Sequence, residues 1–351
     1  MKKIHISLFS AFALTMATVA KADFVDTQER PSGTHTHHPV ESFTDGGARY
    51  TYELTSSGRI ETFEELDATC GRVEHSSDVS YQTGRHIFTG DVKIIDISST
   101  IVVQIFNAKH SGPLMFLLAT TSNGGNLKKY GGAAIVATNC LNRWVAVKID
   151  HDLDADTLKV YIDGALKWQG GASKDDFSGG VKYGTYGGDN RPVKVQWRNV
   201  QWWEVKPYKI LNHKSGKVLN VNAASTTAGA QIIQWPYSAD TTYNDEWYLI
   251  EVQAGFRQIQ NRKSGMALNV QGASTTNGAP VIQWPYSGAT PLNDDWQIVD
   301  LGNGYSKIVN RNSGKVLSVH GSSTADGAQI VQWSYTADSN QCDEWQILPA
   351  P

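Results

Sequence analysis

The stretch Asn212-His213-Lys214-Ser215-Gly216-Lys217-Val218-Leu219-Asn220-Val221 occurs in three closely similar copies in this chain of 351 residues. It returns at 261–270 and at 310–319, so the offset is 49 residues each time (261 − 212 and 310 − 261). Two sets of tryptophans keep the same offset: Trp235, Trp284 and Trp333, each directly after a glutamine, and Trp247, Trp296 and Trp345. A unit this small cannot bury its own apolar face, so three copies predict a closed threefold β domain.

The repeats resemble the ricin-type β-trefoil lectins, which carry a Gln-x-Trp signature in each repeat. The resemblance spans about 208–349 and implies a trefoil over residues 206–351, with the signature tryptophans in its core. In that family each repeat can hold a sugar in a shallow pocket, where an aromatic ring stacks on the sugar and polar groups sort its hydroxyls. The corresponding residues are Asn220, Tyr237, Asn244 and Asp245, then Asn269, Tyr286, Asn293 and Asp294, and then Ser318, Tyr335 and Asp343.

Two departures from the family pattern bear on what these pockets bind. The opening Asp of the family is replaced by Asn220, Asn269 and Ser318, and Gln341 stands where we expect the third repeat to offer an asparagine. The resemblance therefore implies sugar binding without assigning the sugar, and it makes the third pocket the weakest.

The part from about 45 to 205 has a β pattern throughout. Residues 101–106, 143–149 and 158–162 are short β-branched runs bounded by turn residues, and Asp163-Gly164 is a hairpin signal. No segment has a sustained apolar period of 3.6 residues. The sequence therefore predicts an all-β chain, in which a β-sandwich of the jelly-roll, concanavalin-like type precedes the trefoil.

One strand of this part, Val181-Lys182-Tyr183-Gly184-Thr185-Tyr186, carries candidate chemistry. Side chains alternate along a strand, so Lys182, Gly184 and Tyr186 share one face. These three residues suit the floor of a binding groove, because a phenol beside a cation can give or take a proton. The alternative is a half-exposed strand with a structural tyrosine and a solvated lysine.

Three separated segments together resemble the jelly-roll alginate lyases over about 45–204. The segments are Gly71-Arg72-Val73-Glu74-His75, Gln104-Ile105-Phe106 and 182–186, where the family has Arg-x-Glu-Leu-Arg, Gln-Ile/Val-His and Tyr-Phe-Lys-Ala-Gly-x-Tyr-Asn strands. The resemblance implies that Arg72 and Gln104 bind the carboxylate of a uronate polymer. It makes Tyr186 the catalytic phenol, Lys182 a groove cation and Glu74 a further substrate-binding residue. The implied reaction is a β-elimination that requires no cofactor and no metal.

The match to these lyases has two gaps. Phe106 stands where the family has a histidine, and Gly187 stands where it has an asparagine. The missing imidazole can come from His110 or from His75, although strict alternation puts His75 on the face opposite Arg72 unless a bulge intervenes. Alternatively, a single tyrosine serves as both base and acid. A third alternative is a different uronate polymer, such as glucuronan or ulvan.

Two other functions compete with a lyase. A laminarinase-like glycosidase has the motif Glu-x-Asp-x-x-Glu, and Glu65-Leu66-Asp67-Ala68-Thr69-Cys70 approaches it. Cys70 replaces the second carboxylate, however, and a retaining hydrolase needs two. The other alternative is a lectin-like first domain without catalysis.

The beginning of the sequence predicts export. Two lysines precede an apolar run, and Ala20-Lys21-Ala22 has the small-x-small form of a cleavage site, so residues 1–22 are predicted to be a signal peptide. Residues 23–44 are then a polar leader that contains several histidines, and residues 45–205 are the sandwich. We expect a secreted, monomeric protein.

The cysteines and the charge limit the remaining possibilities. An odd number of cysteines leaves at least one unpaired, and Cys70 and Cys140 are the expected disulfide because they lie in the same half of the chain. No Cys/His spacing resembles a zinc site. The formal net charge of −3 gives no electrostatic reason for binding nucleic acid or a membrane. The expected partners are an anionic polysaccharide substrate and sugars at the trefoil.

Overall fold

The computed structural model describes residues 24–30, 33–37, 43–45, 48–56, 58–66, 72–77, 80–96, 99–110, 112–120, 124–129, 134–173, 175–186, 193–337 and 340–351. The predicted signal peptide, Asp67, Cys70 and Gly187 lie outside these residues, and so does the side chain of Arg72. Within the described ranges, no helix is both long and apolar enough to cross a membrane.

In the described residues of the first part of the chain, the strands form two eight-stranded antiparallel sheets. The front sheet consists of β1 (Phe24–Arg30), β2 (Gly33–His37), β6 (Arg72–Ser77), β8 (Ser99–Asn107), β9 (Gly112–Thr120), β10 (Asn126–Lys129), β11 (Ile135–Ala137) and β15 (Gly179–Tyr186). The back sheet consists of β3 (Phe43–Asp45), β4 (Ala48–Thr55), β5 (Gly58–Glu65), β7 (Arg85–Asp96), β12 (Trp144–Asp152), β13 (Thr157–Ile162), β14 (Ala165–Gly170) and β16 (Val193–Val205).

The strand order confirms the predicted sandwich. The front sheet runs β11-β10-β9-β8-β15-β6-β1-β2 and the back sheet runs β14-β13-β12-β7-β16-β5-β4-β3. The inner faces meet in one apolar cluster, in which the Tyr183 ring of the front sheet lies 5.6 Å from Phe63 and 5.5 Å from Trp197 of the back sheet, centroid to centroid. Alternation along β15 therefore sends Tyr183 into the core and Lys182 to the outer face of the front sheet.

Strand β15 contains a bulge at Gly184. Its register against β6 is unbroken, whereas against β8 Tyr183 pairs with Val103 and Tyr186 pairs with Ile101. Gly184 has a φ of +139°, and an added Cβ would lie 2.3 Å from the carbonyl oxygen of Val73. The glycine is therefore required by the backbone itself.

Within the described residues 206–337 and 340–351, the C-terminal part has twelve further strands and three short 3₁₀ turns. The strands are β17 (Tyr208–Asn212), β18 (Val218–Val221), β19 (Ile232–Trp235), β20 (Trp247–Gln253), β21 (Phe256–Asn261), β22 (Ala267–Val270), β23 (Val281–Trp284), β24 (Asp295–Asp300), β25 (Ser306–Asn310), β26 (Val316–Val319), β27 (Ile330–Trp333) and β28 (Trp345–Pro349). The turns are Asn222–Ala224, Gln271–Ala273 and His320–Ser322, and a fourth 3₁₀ turn, Ala108–His110, follows β8.

The three repeats obey the predicted threefold arrangement. Trp247, Trp296 and Trp345 are completely buried in a shared core, and each indole N–H donates to the carbonyl of the leucine in its own repeat's opening strand, at 2.8–2.9 Å. The last strand of the trefoil, β28, pairs with its first, β17, so the ring of repeats is closed.

The state of Cys140 contradicts the predicted disulfide with Cys70. It is a free cysteine that packs in the sandwich core, and burial raises the pKa of its thiol. Cys342 of the trefoil is also free. The sequence argument failed because proximity along the chain does not bring two sulfur atoms within bonding geometry.

Buried ion pairs join the sandwich to the trefoil. Arg85 donates to both carboxylate oxygens of Asp150 at 2.8 and 2.6 Å, and its third nitrogen donates to Gln260 of the trefoil at 2.5 Å. Asp154, in the turn after β12, accepts from Arg262 at 2.6 Å and from the Tyr248 hydroxyl at 3.1 Å. Both parts of the chain therefore contribute charged groups to one desolvated contact.

Asp152 lies beside this contact, and burial raises the pKa of its carboxyl to about 7. The folded state thus favours the protonated form, so its contribution to stability is complete below about pH 4 and is lost as the pH rises to about 7. For Asp152→Asn we expect the free energy of unfolding, relative to the natural protein, to increase over that interval by up to a few kcal/mol. Urea unfolding at a series of pH values measures this difference. The control is Asp175→Asn at an exposed position. A difference in unfolding free energy that stays constant with pH for both variants would contradict the prediction.

Candidate functional site

The outer face of the front sheet brings three of the predicted residues into contact. Lys182 of β15 pairs in register with Gln104 of β8 on one side and with Ser76 of β6 on the other. Residues directly opposite each other in an antiparallel pair point to the same face, so the three side chains form one row. Glu74, two residues from Ser76 on β6, shares that face.

Glu74 connects the amide and the ammonium group of this row. Its Oε2 accepts from the Gln104 amide at 3.0 Å, and its Oε1 accepts from the Lys182 ammonium at 3.2 Å. The Glu74 and Gln104 residues are only 2% and 3% exposed, and the Lys182 ammonium lies 4.5 Å from the centroid of the half-buried Phe106 ring. Paired donors in a desolvated environment bind an incoming carboxylate more strongly than they would in water.

Tyr186 lies on the same face at the end of β15. Its register partner on β6 is Arg72, two residues from Glu74, so the phenol is half-buried on the Glu74 side of the sheet. The structure thus places Tyr186, Lys182, Gln104 and Glu74 on one surface and puts the backbone of Arg72 at its edge.

Thr100 holds Tyr186 in this position and was not found by the sequence analysis. Its hydroxyl accepts from the Tyr186 amide at 3.0 Å and lies 3.3 Å from the Tyr186 carbonyl, and the threonine is fully buried. These contacts lie next to the bulge, where β8 and β15 change register. No local motif marks such a residue, because its role depends on a bulge in a strand 80 residues away.

His75 lies in the sandwich core, which contradicts its proposed role as the catalytic base. Its ring packs against Tyr50 and Tyr183, with centroid distances of 4.9 and 5.3 Å. Burial lowers the pKa of the imidazole to about 4. Because β6 pairs with β15 without a bulge at this point, alternation keeps His75 on the face opposite Glu74.

His110 lies beyond the end of β8 and is brought to Asp176 rather than to the Gln104 row. Its side chain is 62% exposed, and its Nε2 is hydrogen bonded to the Asp176 carboxylate. Three strand residues, or about 10 Å, separate Gln104 from the end of β8. The geometry therefore does not gather His110 with Lys182 and Glu74.

A buried carboxylate supports β15 from the core side. Glu61 accepts from the Tyr183 hydroxyl at 2.7 Å and from the Tyr50 hydroxyl at 2.8 Å. Burial raises the pKa of both phenols, so they stay protonated. Glu65, the first residue of the laminarinase-like motif, is also buried on this strand, away from the Gln104 row.

The trefoil pockets of the first two repeats are built alike. The Asn244 amide donates to the Asn220 side chain at 3.0 Å and to the Val221 carbonyl at 3.0 Å, and Asn293 makes the equivalent bonds to Asn269 and Val270 at 3.0 and 2.7 Å. Asp245 and Asp294 accept the backbone N–H of Ser238 and Ser287 at 3.0 and 2.9 Å. Each predicted Asn–Asn–Asp set therefore lies together.

Cys342, not Gln341, occupies the asparagine position of the third repeat. It lies 49 residues after Asn293, and its sulfur accepts from the Ser322 hydroxyl at 3.2 Å. Gln341 has a positive φ of 52° in the preceding turn. The expectation for Gln341 was wrong because the repeat was aligned one residue out of step.

The tyrosines predicted to be sugar platforms are tied down by their hydroxyls instead. Tyr237, Tyr286 and Tyr335 donate to the carboxylates of Glu246, Asp295 and Glu344, at 2.8, 3.0 and 3.3 Å. A cavity of about 350 Å³ in the third repeat is lined by Trp333 together with Ser318, Cys342 and Asp343, and Tyr335 is not among its lining residues. In the third repeat, the tryptophan two residues earlier is therefore the aromatic wall of the cavity.

The three tryptophans at this position, which directly follow a glutamine and were expected in the trefoil core, are exposed, so that expectation was wrong. Trp235, Trp284 and Trp333 are 44%, 48% and 43% exposed, and each lies over a glycine of a neighbouring repeat, Gly327, Gly229 and Gly278 respectively. The sequence marks these tryptophans as a repeated feature, because they recur with the 49-residue offset at the ends of short apolar strands. Among the described residues, no group of three or more His, Cys, Asp or Glu side chains is arranged to hold a metal ion.

Fold and pockets thus define a jelly-roll sandwich joined to a lectin-type trefoil, and comparisons with known proteins agree with the second part. Residues 195–284 and 292–351 match the family model described as "Ricin-type beta-trefoil lectin domain-like". This match and the threefold topology confirm the trefoil prediction, and a domain of this kind implies sugar binding.

Several individual proteins are also similar to the chain. A citrate-binding protein from Hevea brasiliensis is 27% identical over 128 residues, which are 35% of this chain and 52% of that protein, so the chain spans about half the length of this relative. A designed threefold-symmetric protein is 44% identical over 40% of this chain and 97% of its own, with a TM-score of 0.38. An exo-β-1,3-galactanase from Clostridium thermocellum is 20% identical, covering 86% and 82% of the two chains, with a TM-score of 0.39. An alginate lyase of polysaccharide lyase family 7 is 17% identical, covering 51% and 93%, with a TM-score of 0.40.

Proposed function

We propose that the protein is an exported polysaccharide lyase that cleaves a uronate polymer by β-elimination and uses its trefoil to stay on the polymer. The observation that carries this proposal is the outer face of the front sheet, where Gln104, Lys182 and Glu74 are in direct contact and Tyr186 lies opposite Arg72. A carboxylate site beside a phenol is the arrangement that such an elimination requires.

The reaction begins at the carboxylate of the substrate. The Gln104 amide has a second N–H and the Lys182 ammonium has two further N–H groups beyond those given to Glu74, so both retain donors for the uronate. Donors placed on the carboxylate stabilise the negative charge that develops when the neighbouring C–H proton is removed. Arg72, whose backbone lies at the same edge, is the third candidate donor.

Tyr186 then moves the proton. As a base the phenolate takes the C5 proton, and as an acid the phenol gives a proton to the 4-linked oxygen that leaves. One C–H and one C–O bond break, and a C4–C5 double bond forms in the new non-reducing end. Since His75 is in the core and His110 lies away from the row, a single tyrosine in both roles fits the geometry best.

Glu74 acts as a positioning residue in this scheme. It is buried and holds Gln104 and Lys182 at one fixed separation, which reduces the rearrangement needed when the substrate carboxylate arrives. It also neutralises Lys182 in the free protein, so the buried ammonium is never left unpaired.

The test is an ultraviolet assay of the full chain with alginate, glucuronan and ulvan, in the presence of a chelator. A β-elimination produces an unsaturated uronide that absorbs near the ultraviolet edge, whereas hydrolysis produces reducing ends alone. If a folded protein releases no ultraviolet-absorbing product from any of the three polymers, the proposal is refuted.

A second candidate function is binding of a carboxylate-bearing sugar without cleavage. The observation in its favour is the name of the Hevea brasiliensis relative, which denotes citrate binding, since citrate is also a carboxylate. The same assay separates the two functions: this candidate predicts saturable binding of the polymer without ultraviolet product.

The exposed tryptophans give a test of the trefoil's part. Replacing Trp235, Trp284 and Trp333 together by alanine should lower affinity for intact polymer or cell wall by about tenfold or more, because each pocket loses its stacking surface and the multivalent effect is lost. Turnover of short soluble oligomers should stay nearly unchanged. The matched control replaces Tyr237, Tyr286 and Tyr335 by phenylalanine, which removes only the hydroxyls bound to carboxylates. Equal loss on polymer and oligomers would mean that the trefoil acts on the catalytic part instead.

A further inference from the structure

A second polar groove lies on the opposite side of the sandwich from Gln104. Two depressions flank the Asp163-Gly164 turn: one of about 690 Å³ on the outer face of the back sheet, and one of about 500 Å³ beside it, where β11 at the edge of the front sheet meets β13 and β14 at the edge of the back sheet. The larger is lined by residues that include Thr89, Lys148, Tyr161 and Gln201, and the smaller by residues that include Arg143, Asp163, Ala165 and Lys167. We call the two depressions together the back groove.

Strand register explains the shape of the larger depression. Lys148 of β12 pairs with Tyr161 of β13 and with Thr89 of β7, and Thr89 in turn pairs with Gln201 of β16. Ala146, in the next position along the same face, is too small to fill the surface. On the far side, β16 shifts register between Arg198 and Gln201, and Asn199 within this irregular segment lines the depression.

The groove contains an aromatic ring with a cation over it. The Lys148 ammonium lies over the Tyr161 ring, 5.0 Å from its centroid, and both side chains are half-buried. Burial lowers the pKa of the Lys148 amine, which means that the ammonium lacks much of its hydration and gains from an incoming anion. The amide of Gln201 and the hydroxyl of Thr89 complete a surface suited to a sugar ring with its hydroxyls.

The charges of the back groove favour an anionic ligand. Its carboxylates are already paired: Asp91 accepts from Arg198 at 3.0 Å and from Asn199 at 2.9 Å, and Asp163 accepts from Arg143 at 3.1 Å. Lys148 and Lys167 come in addition to these pairs, and Asp150, whose charge also acts on Lys148, is itself paired with Arg85. The local charge is thus positive although the whole chain carries −3.

We propose that the back groove is a second, non-catalytic binding surface for an acidic polysaccharide. The carboxylate of a uronate draws the Lys148 ammonium from above Tyr161, the sugar ring stacks on the ring so uncovered, and the chain continues over Gly164 toward Lys167. The identity of the polymer as a polyuronate rests on the proposed function, whereas the requirement for an anionic sugar chain follows from the groove itself.

The experiment is electrophoresis of the full chain through gels that contain a polyuronate or, as the neutral reference, dextran. All variants carry Gln104→Ala and the triple tryptophan-to-alanine change, so that the front sheet and the trefoil contribute as little binding as possible. In this background Tyr161→Ala with Lys148→Met should reduce retardation by polyuronate by about fivefold or more, because a stacking contact and a charge contact are lost together. Lys214→Met in the trefoil, which removes an exposed charge far from the groove, should change it little.

Tyr161→Phe is the conservative variant: it keeps the aromatic ring, so it should keep most of the retardation. Thermal melts of all variants verify that they are folded. Unchanged retardation in the Tyr161→Ala, Lys148→Met protein would overturn the proposal. So would a protein with an intact back groove that is retarded equally by dextran and polyuronate, or that is retarded by neither. Ultraviolet assays of the otherwise natural protein are run separately. Loss of retardation in the groove variant without ultraviolet product from any polymer would support the back groove while refuting the lyase.

Discussion

Replacing Tyr186 by phenylalanine should lower kcat by about 10²-fold or more while leaving the fold stable, because it removes the one group on the front face that can move a proton in the proposed scheme. The ring remains, and the bonds from Thr100 go to the backbone of residue 186, so the position of the side chain is preserved. Steady-state ultraviolet assays give kcat and KM, and thermal melts give stability. Little change in KM is expected, since the hydroxyl acts in the transition state.

Tyr183→Phe is the matched control, because Tyr183 lies on the same strand but points into the core. It loses the 2.7 Å bond to Glu61, so stability should fall by about 1–3 kcal/mol, while kcat at a permissive temperature is retained. His110→Ala should also retain activity if Tyr186 is both base and acid. Full activity in Tyr186→Phe would exclude the phenol as the proton carrier whatever the histidine does.

Gln104→Ala should reduce kcat/KM by about 10²–10³-fold, because it removes a buried donor from the carboxylate on which charge accumulates. It also leaves one oxygen of buried Glu74 without its 3.0 Å partner, so part of the loss comes from a displaced Lys182. The measurement is kcat/KM on a soluble oligomer of the polymer that gives product, with kcat measured separately.

Gln196→Ala provides the control for this change. Gln196 is a half-buried glutamine on the outer face of the back sheet, where its amide donates to Thr62 at 3.2 Å. The substitution removes a similar hydrogen bond without touching the front sheet, so activity should persist. A Gln104→Ala protein that matched the Gln196→Ala protein in kcat/KM would show that Gln104 does not contact the substrate.

The sequence was sufficient for the architecture because the relevant signals are periodic. The 49-residue offset determines a threefold ring, and alternation along β15 determines that Lys182 and Tyr183 face opposite ways. Alternation also separated His75 from Glu74 correctly, and the unbroken register of β6 against β15 shows that no bulge brings that histidine to the outer face.

Features that depend on partners distant in sequence were beyond this reasoning. Trp333 and Tyr335 are both aromatic and only two residues apart, and the choice of Trp333 as the wall of the third-repeat cavity depends on the folded backbone around them. Thr100 matters only because β15 bulges beside it. Glu74 was placed on the correct face, but its contacts with Gln104 and Lys182 required the register of three strands.

The closed ring of repeats has a consequence for the order in which the trefoil can form during synthesis. The Gln234 amide of the first repeat donates to the carbonyls of Ser323 and Ala325 in the third, at 2.9 Å each, and β17 finds its partner β28 at the other end of the domain. The first repeat to leave the ribosome therefore has one neighbour that follows directly, the second repeat, and one that is made last, the third. Until the third repeat emerges, the side of the first repeat that packs against it stays exposed to solvent, although the strands of the sandwich have already been synthesised.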